Sequence, residues 1–194
     1  EIILLLFIWA NAFEERKEII FLSSNEDNWM IRDIMEIRTA TIADLAQIAA
    51  VEAECFPAAE AATKEEFAER IKYYGNHFWL MFEDEKLIAF VDGFVTDKPD
   101  LTDEMYERAE MHDENGAWQM IFGVNTIPAY RKHGYAGQLL QCAIEDARKQ
   151  GRKGLVLTCK EKLIAYYAKF GFENEGISES VHGNVIWYQM RYKF

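Results

Sequence analysis

Three cysteines, three prolines and four histidines are few for a chain of 194 residues. Cys55, Cys142 and Cys159 are odd in number and widely spaced, which gives neither a disulfide framework nor a zinc-ligand pattern. Reduced thiols in a cytoplasmic protein are the expectation. No two histidines stand at a ligand spacing, so no metal is expected. Positive charge is scarce too: 21 Lys and Arg against 33 Asp and Glu leave a formal charge of −12. Nucleic-acid binding needs a basic face, so nucleic acid is not an expected partner. An acidic surface would instead draw cationic molecules such as amines. Long apolar runs are missing. The strongest, residues 2–10, is too short to span a bilayer, and it has no basic segment ahead of it and no clear cleavage site. Neither a membrane role nor a signal peptide is expected. There is no internal repeat, linker or low-complexity tract. Half the residues are hydrophobic, enough for one domain with a substantial core.

Each proline marks a break. Pro57 ends a helix expected over 42–54, in which Leu45, Ile48, Ala49 and Glu52 lie along neighbouring faces. Thr41 reads as its N-cap, with Asp44 three residues on. Thr63 and Glu66 form the same pattern ahead of a second helix that carries Phe67, Ile71 and Tyr74. Residues 77–82 and 86–96 read as a hairpin joined at 83–85, and Pro99 follows its second strand. Residues 101–115 are acidic and read as a short helix and a loop. Pro128 closes a strand over 118–126, where Met120, Phe122, Val124 and Thr126 alternate at period two. Further strands are expected at 154–158, 171–176 and 185–192, with a helix over 162–169. Strands and helices thus alternate in an α+β order with a mixed sheet.

The chain is organised around residues 124–151. Gly134 and Gly137 bracket the entry to a helix whose apolar positions are Leu139, Leu140, Ala143, Ile144 and Ala147; Gly151 supplies its stop. The first N–H groups of a helix lack intrahelical partners and lie at the positive end of its dipole, so a glycine-rich entry suits an anion. Arg131, Lys132 and His133 add local positive charge in an acidic chain. A diphosphate would fit this turn. An ordinary strand-to-helix connection would show the same spacing, and spacing alone leaves the two level.

Arg131-Lys132-His133-Gly134-Tyr135-Ala136 resembles the acetyl-coenzyme A signature of the GNAT acetyltransferases: a basic residue or Gln, two residues, Gly, one residue, then Gly or Ala. Pro128-Ala129-Tyr130 precede it, Leu139-Leu140 follow it, and Tyr166-Tyr167-Ala168-Lys169-Phe170-Gly171-Phe172 resembles the helix and Phe-Gly-Phe ending found further along. The resemblance covers about residues 35–194 and is strongest over 118–172. It implies the GNAT fold: a mixed, twisted sheet flanked by helices and splayed at the central strand. It also implies that acetyl-coenzyme A is the co-substrate. The pantetheine arm would pair with the strand at Val124, Asn125 and Thr126, and the diphosphate would sit on Arg131, Lys132, His133, Gly134, Tyr135, Ala136 and Gly137. Residues 1–34 lie outside the resemblance and read as an extension of open role, either from an upstream start or as a dimer-forming arm; a homodimer is therefore possible.

The arylalkylamine N-acetyltransferase branch is the most similar. Its tyrosine ahead of the Phe-Gly-Phe-like ending reaches the coenzyme sulfur, and Tyr167 matches that position, which implies a general acid that also touches the coenzyme. Tyr166 is its neighbour on another face. Vertebrate members carry two histidines on the central strand; Met120 and Phe122 stand there in this chain, so their histidine relay does not carry over. Another group of the branch uses a glutamate on the first helix. Glu54 is the expected base on that ground, with Glu52 and Glu60 as alternatives, since a carboxylate beside an apolar pocket has its pKa raised. His112 and His182, both in loops, are further candidates, more often surface histidines than bases. The expected reaction is transfer of acetyl to a small primary amine, an arylalkylamine by resemblance, by direct attack without an acyl-enzyme. Acetylation of a protein N-terminus or lysine is an alternative, as is a coenzyme A-binding sensor without turnover.

Overall fold

A computed structural model describes residues 4–7, 17–25, 28–181, 183 and 185–194, with side chains from residue 35 onward. His182 lies outside the described residues. Sixteen elements follow in order: β1 (Leu4–Phe7), β2 (Lys17–Asn25), β3 (Asn28–Thr39), α1 (Leu45–Cys55), α2 (Lys64–Tyr74), β4 (Phe78–Glu83), β5 (Lys86–Asp92), β6 (Val95–Thr96), α3 (Glu104–Glu107), β7 (Trp118–Ile121), β8 (Gly123–Thr126), α4 (Tyr135–Lys149), β9 (Gly154–Cys159), α5 (Ile164–Ala168), β10 (Glu173–Ile177) and β11 (Tyr188–Lys193). The class is α+β, as expected.

Both helix starts read from capping patterns are present. Asp44 Oδ2 accepts from Thr41 N at 2.8 Å and from its hydroxyl at 2.9 Å; a 3₁₀ turn over Ile42–Asp44 precedes α1. At α2, Glu66 N donates to Thr63 Oγ1 at 3.2 Å while Thr63 N donates to Glu66 Oε2 at 2.6 Å. These reciprocal bonds satisfy donors that a helix start otherwise leaves open. Alternation along the strands then sends side chains to two helical layers. Phe78 and Phe90 meet Phe67 of α2, with centroids 6.2 and 5.8 Å apart. Trp79 points the other way and donates to Asp146 of α4 at 2.8 Å. The five apolar positions read for α4 are the residues it buries.

The strands form two sheets, in the orders β1-β2-β3-β4-β5-β8 and β10-β11-β9-β7-β6. Two strands read as continuous are each divided between them. The segment 86–96 breaks at Gly93, where a Cβ would lie 1.8 Å from the Met120 carbonyl oxygen. The segment 118–126 breaks at Phe122, whose N–H still donates to Asp92 O at 2.8 Å. The two segments therefore remain one antiparallel ribbon that bends from the first sheet into the second. Beyond the bend β9 runs parallel to β7 alone, so β8 and β9 diverge. This is the expected splay. At the other end the sheet continues through the expected boundary at residue 35: β3 starts at Asn28, and β1 and β2 pair onto it in turn.

Candidate active site

The splay opens on a cavity of about 350 Å³ lined from α1, α2, α3, β7 to β9, α5 and the loop before β11. Its floor is charged. Asp92, only 1% exposed, ends β5 opposite Gly123 of β8. A Cβ on Gly123 would lie 2.5 Å from Asp92 Oδ1 and 3.0 Å from Asn125 Nδ2, so glycine is what lets both side chains lie over the strand. Arg70 of α2 donates to Asp92 at 3.2 Å and to the Tyr106 carbonyl at 3.0 Å, and its guanidinium rests near the rings of Phe67 and Phe122. Tyr106 and Thr158 then bring their hydroxyls within 3.2 Å across the cleft.

Glu52 lies on the same floor, 6% exposed. Its two oxygens accept one bond each, from Ala62 N at 3.1 Å and Asn125 Nδ2 at 3.0 Å. Burial, with the Asp92 carboxylate adding to it, pushes Glu52 up to about 7. Burial also pushes Asp92 up to about 6, against the opposing pull of Arg70. Glu54, the base expected from the sequence, is exposed on α1 and does not line the cavity. One helix position turns a side chain by about 100°, so two positions place it almost opposite. Glu60 does line the cavity, but both its oxygens hold the Lys160 ammonium at 2.8 Å.

Tyr167 lines the cavity too, 6% exposed. Its hydroxyl makes no hydrogen bond among the described residues, and burial pushes the phenol well above its usual range. Tyr166 faces elsewhere, with its hydroxyl 3.7 Å from where a Cβ on Gly137 would stand. That Cβ would also lie 2.8 Å from Phe170 Cζ, so Gly137 is where the Phe170 ring packs on α4. Cys159, on the cavity wall, is buried, and desolvation pushes its thiol up to about 11. A thiolate nucleophile is disfavoured there.

The turn beyond β8 is built from backbone. A 3₁₀ turn at Pro128–Tyr130 leads to Lys132 and Gly134, both left-handed at φ +68° and +86°. Nothing lies within 4 Å of a Cβ placed on Gly134. The first bond of α4 runs from Gln138 N to Gly134 O at 3.1 Å, so the N–H groups at its leading end face away from the helix's own carbonyls. Arg131 is exposed, with Nε donating to Thr126 O at 3.0 Å; Lys132 and His133 are exposed as well. Val124 lines the cavity, Asn125 holds Glu52, and Thr126 Oγ1 is buried without a hydrogen-bond partner among the described residues. Open N–H groups, an empty left-handed cradle and two basic side chains fit an anionic diphosphate.

His112 stands apart from this cavity. With His77 and Glu114 it forms a cluster whose ligand atoms lie within 4.8 Å, assembled from separate segments and invisible to any sequence spacing. His112 Nδ1 accepts from Val95 N at 3.2 Å. That leaves its ring proton on Nε2, facing Glu114 at 3.4 Å, where a metal would need a lone pair. Glu114 also meets His77 at 3.0 Å and Arg152 at 2.8 Å. These bonds hold Glu114 well below the usual carboxylate range, at about 2. The group is an ion network that ties the acidic segment to the body.

Residues 45–172 match the model described as the acetyltransferase (GNAT) family, and the chain belongs to that family. Serotonin N-acetyltransferase of Mesocricetus auratus is 26% identical over 111 residues, which are 57% of this chain and 52% of that protein. The match thus spans about half the length of that relative. Among solved structures, the loading GNATL domain of CurA from Lyngbya majuscula superposes with a TM-score of 0.72 at 16% identity, covering 82% of this chain and 97% of that one. The GphF GNAT-like decarboxylase in complex with isobutyryl-CoA gives 0.70 at 21% identity, covering 81% and 98%. At such identities these two likenesses concern the fold alone.

Proposed function

We propose that the protein transfers an acetyl group from acetyl-coenzyme A to a small primary amine, with Glu52 as the base and Tyr167 as the acid. One observation carries this reading: Glu52 and Tyr167 line the same cavity at the splay, with Val124 of β8 in its wall. Acetyl-coenzyme A would supply the acetyl group, activated as a thioester. The chain's backbone at Gly134 to Gly137, with Arg131 and Lys132, would hold the diphosphate, and β8 would present the strand edge to the pantetheine arm. Glu52 takes a proton from the acceptor ammonium. A carboxyl pushed up to about 7 is balanced between holding and releasing a proton at neutral pH, which is where a general base works best. Tyr167, kept protonated by burial, holds a proton at its hydroxyl for a departing thiolate. The raised Cys159 thiol supports direct attack over an acyl-enzyme.

The arylalkylamine branch is favoured by the relative named above and by Phe56, Phe122 and Trp187 in the cavity lining, which would accept an apolar amine body. On the same reading, residues 35–194 form the transferase domain in a cytoplasmic protein, and residues 1–34 an extension whose strands continue its sheet. Thiol release from acetyl-coenzyme A tests the whole proposal. Saturable release with small amines, and little with peptides, is expected. Release only with peptides would move the acceptor to protein N-termini or lysines. Coenzyme binding without release to any acceptor would leave a sensor.

A further inference from the structure

We infer that Asn125 is the positioning residue for the base, its side-chain amide fixing the Glu52 carboxyl and supporting the ionised form; this rests on the transferase reading, in which Glu52 takes the proton. Nothing in that reading uses the Asn125 side chain, since β8 would meet the pantetheine arm through its backbone. Asn125 is 1% exposed and does not line the cavity. Its side chain therefore acts on an acceptor only through another residue. That residue is Glu52, whose Oε2 accepts from Asn125 Nδ2 at 3.0 Å.

The amide is held in one direction. Its Oδ1 is buried with no hydrogen-bond partner among the described residues, a costly arrangement for a carbonyl. Turning the amide over would be worse, because Oδ1 would then face the Glu52 carboxylate. Asp92 adds negative charge from the other flank: a Cβ on Gly123 would meet Asp92 Oδ1 at 2.5 Å and Asn125 Nδ2 at 3.0 Å, so both atoms border the gap that glycine leaves. An unpartnered carbonyl is thus tolerated in order to point N–H groups at anionic oxygens. Glu52 Oε1 is fixed separately, by Ala62 N at 3.1 Å, so the carboxyl is gripped at both ends. Burial, then the Asp92 carboxylate, push Glu52 up to about 7, while the Ala62 N–H, Arg70 and the Asn125 amide pull it down. A donor aimed at a carboxylate favours its charged form. Without that amide Glu52 would keep its proton to higher pH, and a smaller share would be free to accept one at neutral pH.

The test follows kcat/KM against pH on the full chain, with acetyl-coenzyme A and phenethylamine. Asn125→Leu, which removes the donor, and Asn125→Ser, which removes it without adding bulk, should both move the low-pH limb up by about one pH unit. Near pH 6 that lowers kcat/KM about tenfold, and near pH 9 by much less. The thermal shift given by acetyl-coenzyme A should persist in both. Placed on Glu52→Gln, neither change should repeat its loss, because residues acting through one another are not additive. A limb that stays in place in both variants, an equal loss at every pH, or a loss repeated in full on Glu52→Gln overturns the inference while the base role stands. A Glu52→Gln enzyme as fast as the parent, or no thiol release with phenethylamine at any pH, overturns both.

Discussion

The signature turn and the cavity at the splay are made in opposite ways. The turn comes from one run of chain, 131–137, and offers mainly backbone: open N–H groups and a left-handed glycine with nothing around it. The cavity comes from segments spread between Glu52 and Trp187 and offers side chains. Backbone donors are the same whatever residues carry them, so a turn of this kind suits a ligand portion that never changes. Side chains are replaced one at a time, so a wall built from them is where a particular acceptor is chosen. The division predicts that changes in the cavity act on rate and choice, and changes in the turn on coenzyme affinity.

The largest effect is expected from Glu52→Gln. Loss of a general base costs about 10²–10⁴ in rate, and the low-pH limb of the rate profile, centred near the parent's value of about 7, should flatten. Stability should move the other way. The unfolded carboxyl titrates near 4.5 and the folded one near 7, so folding retains the proton between those values. The stabilisation present below 4.5 is lost as pH rises through 7. Gln cannot ionise and escapes that loss. The variant should therefore exceed the parent in stability by roughly 3 kcal/mol at pH 8, with the gap closing by pH 4. Denaturant melts at the two pH values check this. A variant that loses stability at pH 8 would show that the ionised carboxylate is well solvated and not the raised base.

Next in size is Tyr167→Phe, expected to lower turnover about 10²-fold with coenzyme affinity little changed, because the hydroxyl acts only as the leaving group departs. Tyr166→Phe, pointing at α4 instead, is the control. Equal small effects from both would remove the acid role. The smallest effect on rate at saturation, and the largest on affinity, belongs to Gly134→Val. Its φ of +86° disfavours a branched side chain, and the side chain would fill the empty cradle. The thermal shift produced by acetyl-coenzyme A in the parent should disappear. An undiminished shift would move the diphosphate elsewhere and break the comparison.

What the sequence made legible follows the same division. The turn is legible because its features are local: glycines, basic residues and a helix stripe stand in one window. Both capping boxes were legible for the same reason. Glu54, the base expected from the resemblance, does not line the cavity, whereas its alternative Glu52 does. Glu52 shares the apolar stripe Leu45, Ile48 and Ala49, and a carboxylate on such a stripe must either be paired or be perturbed; Glu54 does not share it. Arg70 carried a parallel signal, since it lies among Phe67, Ile71 and Tyr74 on the buried face of α2. Asp92 ends the buried run of β5. The breaks at Gly93 and Phe122 were not legible, because a strand changes sheet only when two distant segments bend together. The His77, His112 and Glu114 group was hidden by the 37 residues that separate its ends.

Beyond Phe122, β8 has a sheet neighbour on one side only among the described residues. An open strand edge is a template on which any extended segment will pair, the geometry that seeds strand exchange and aggregation. On the proposed placement of the coenzyme, its arm would stand in for a missing strand, so losing the ligand and baring a sticky edge would be a single event. Protein stripped of coenzyme would then suffer first as a colloid, clumping while its secondary structure is still whole.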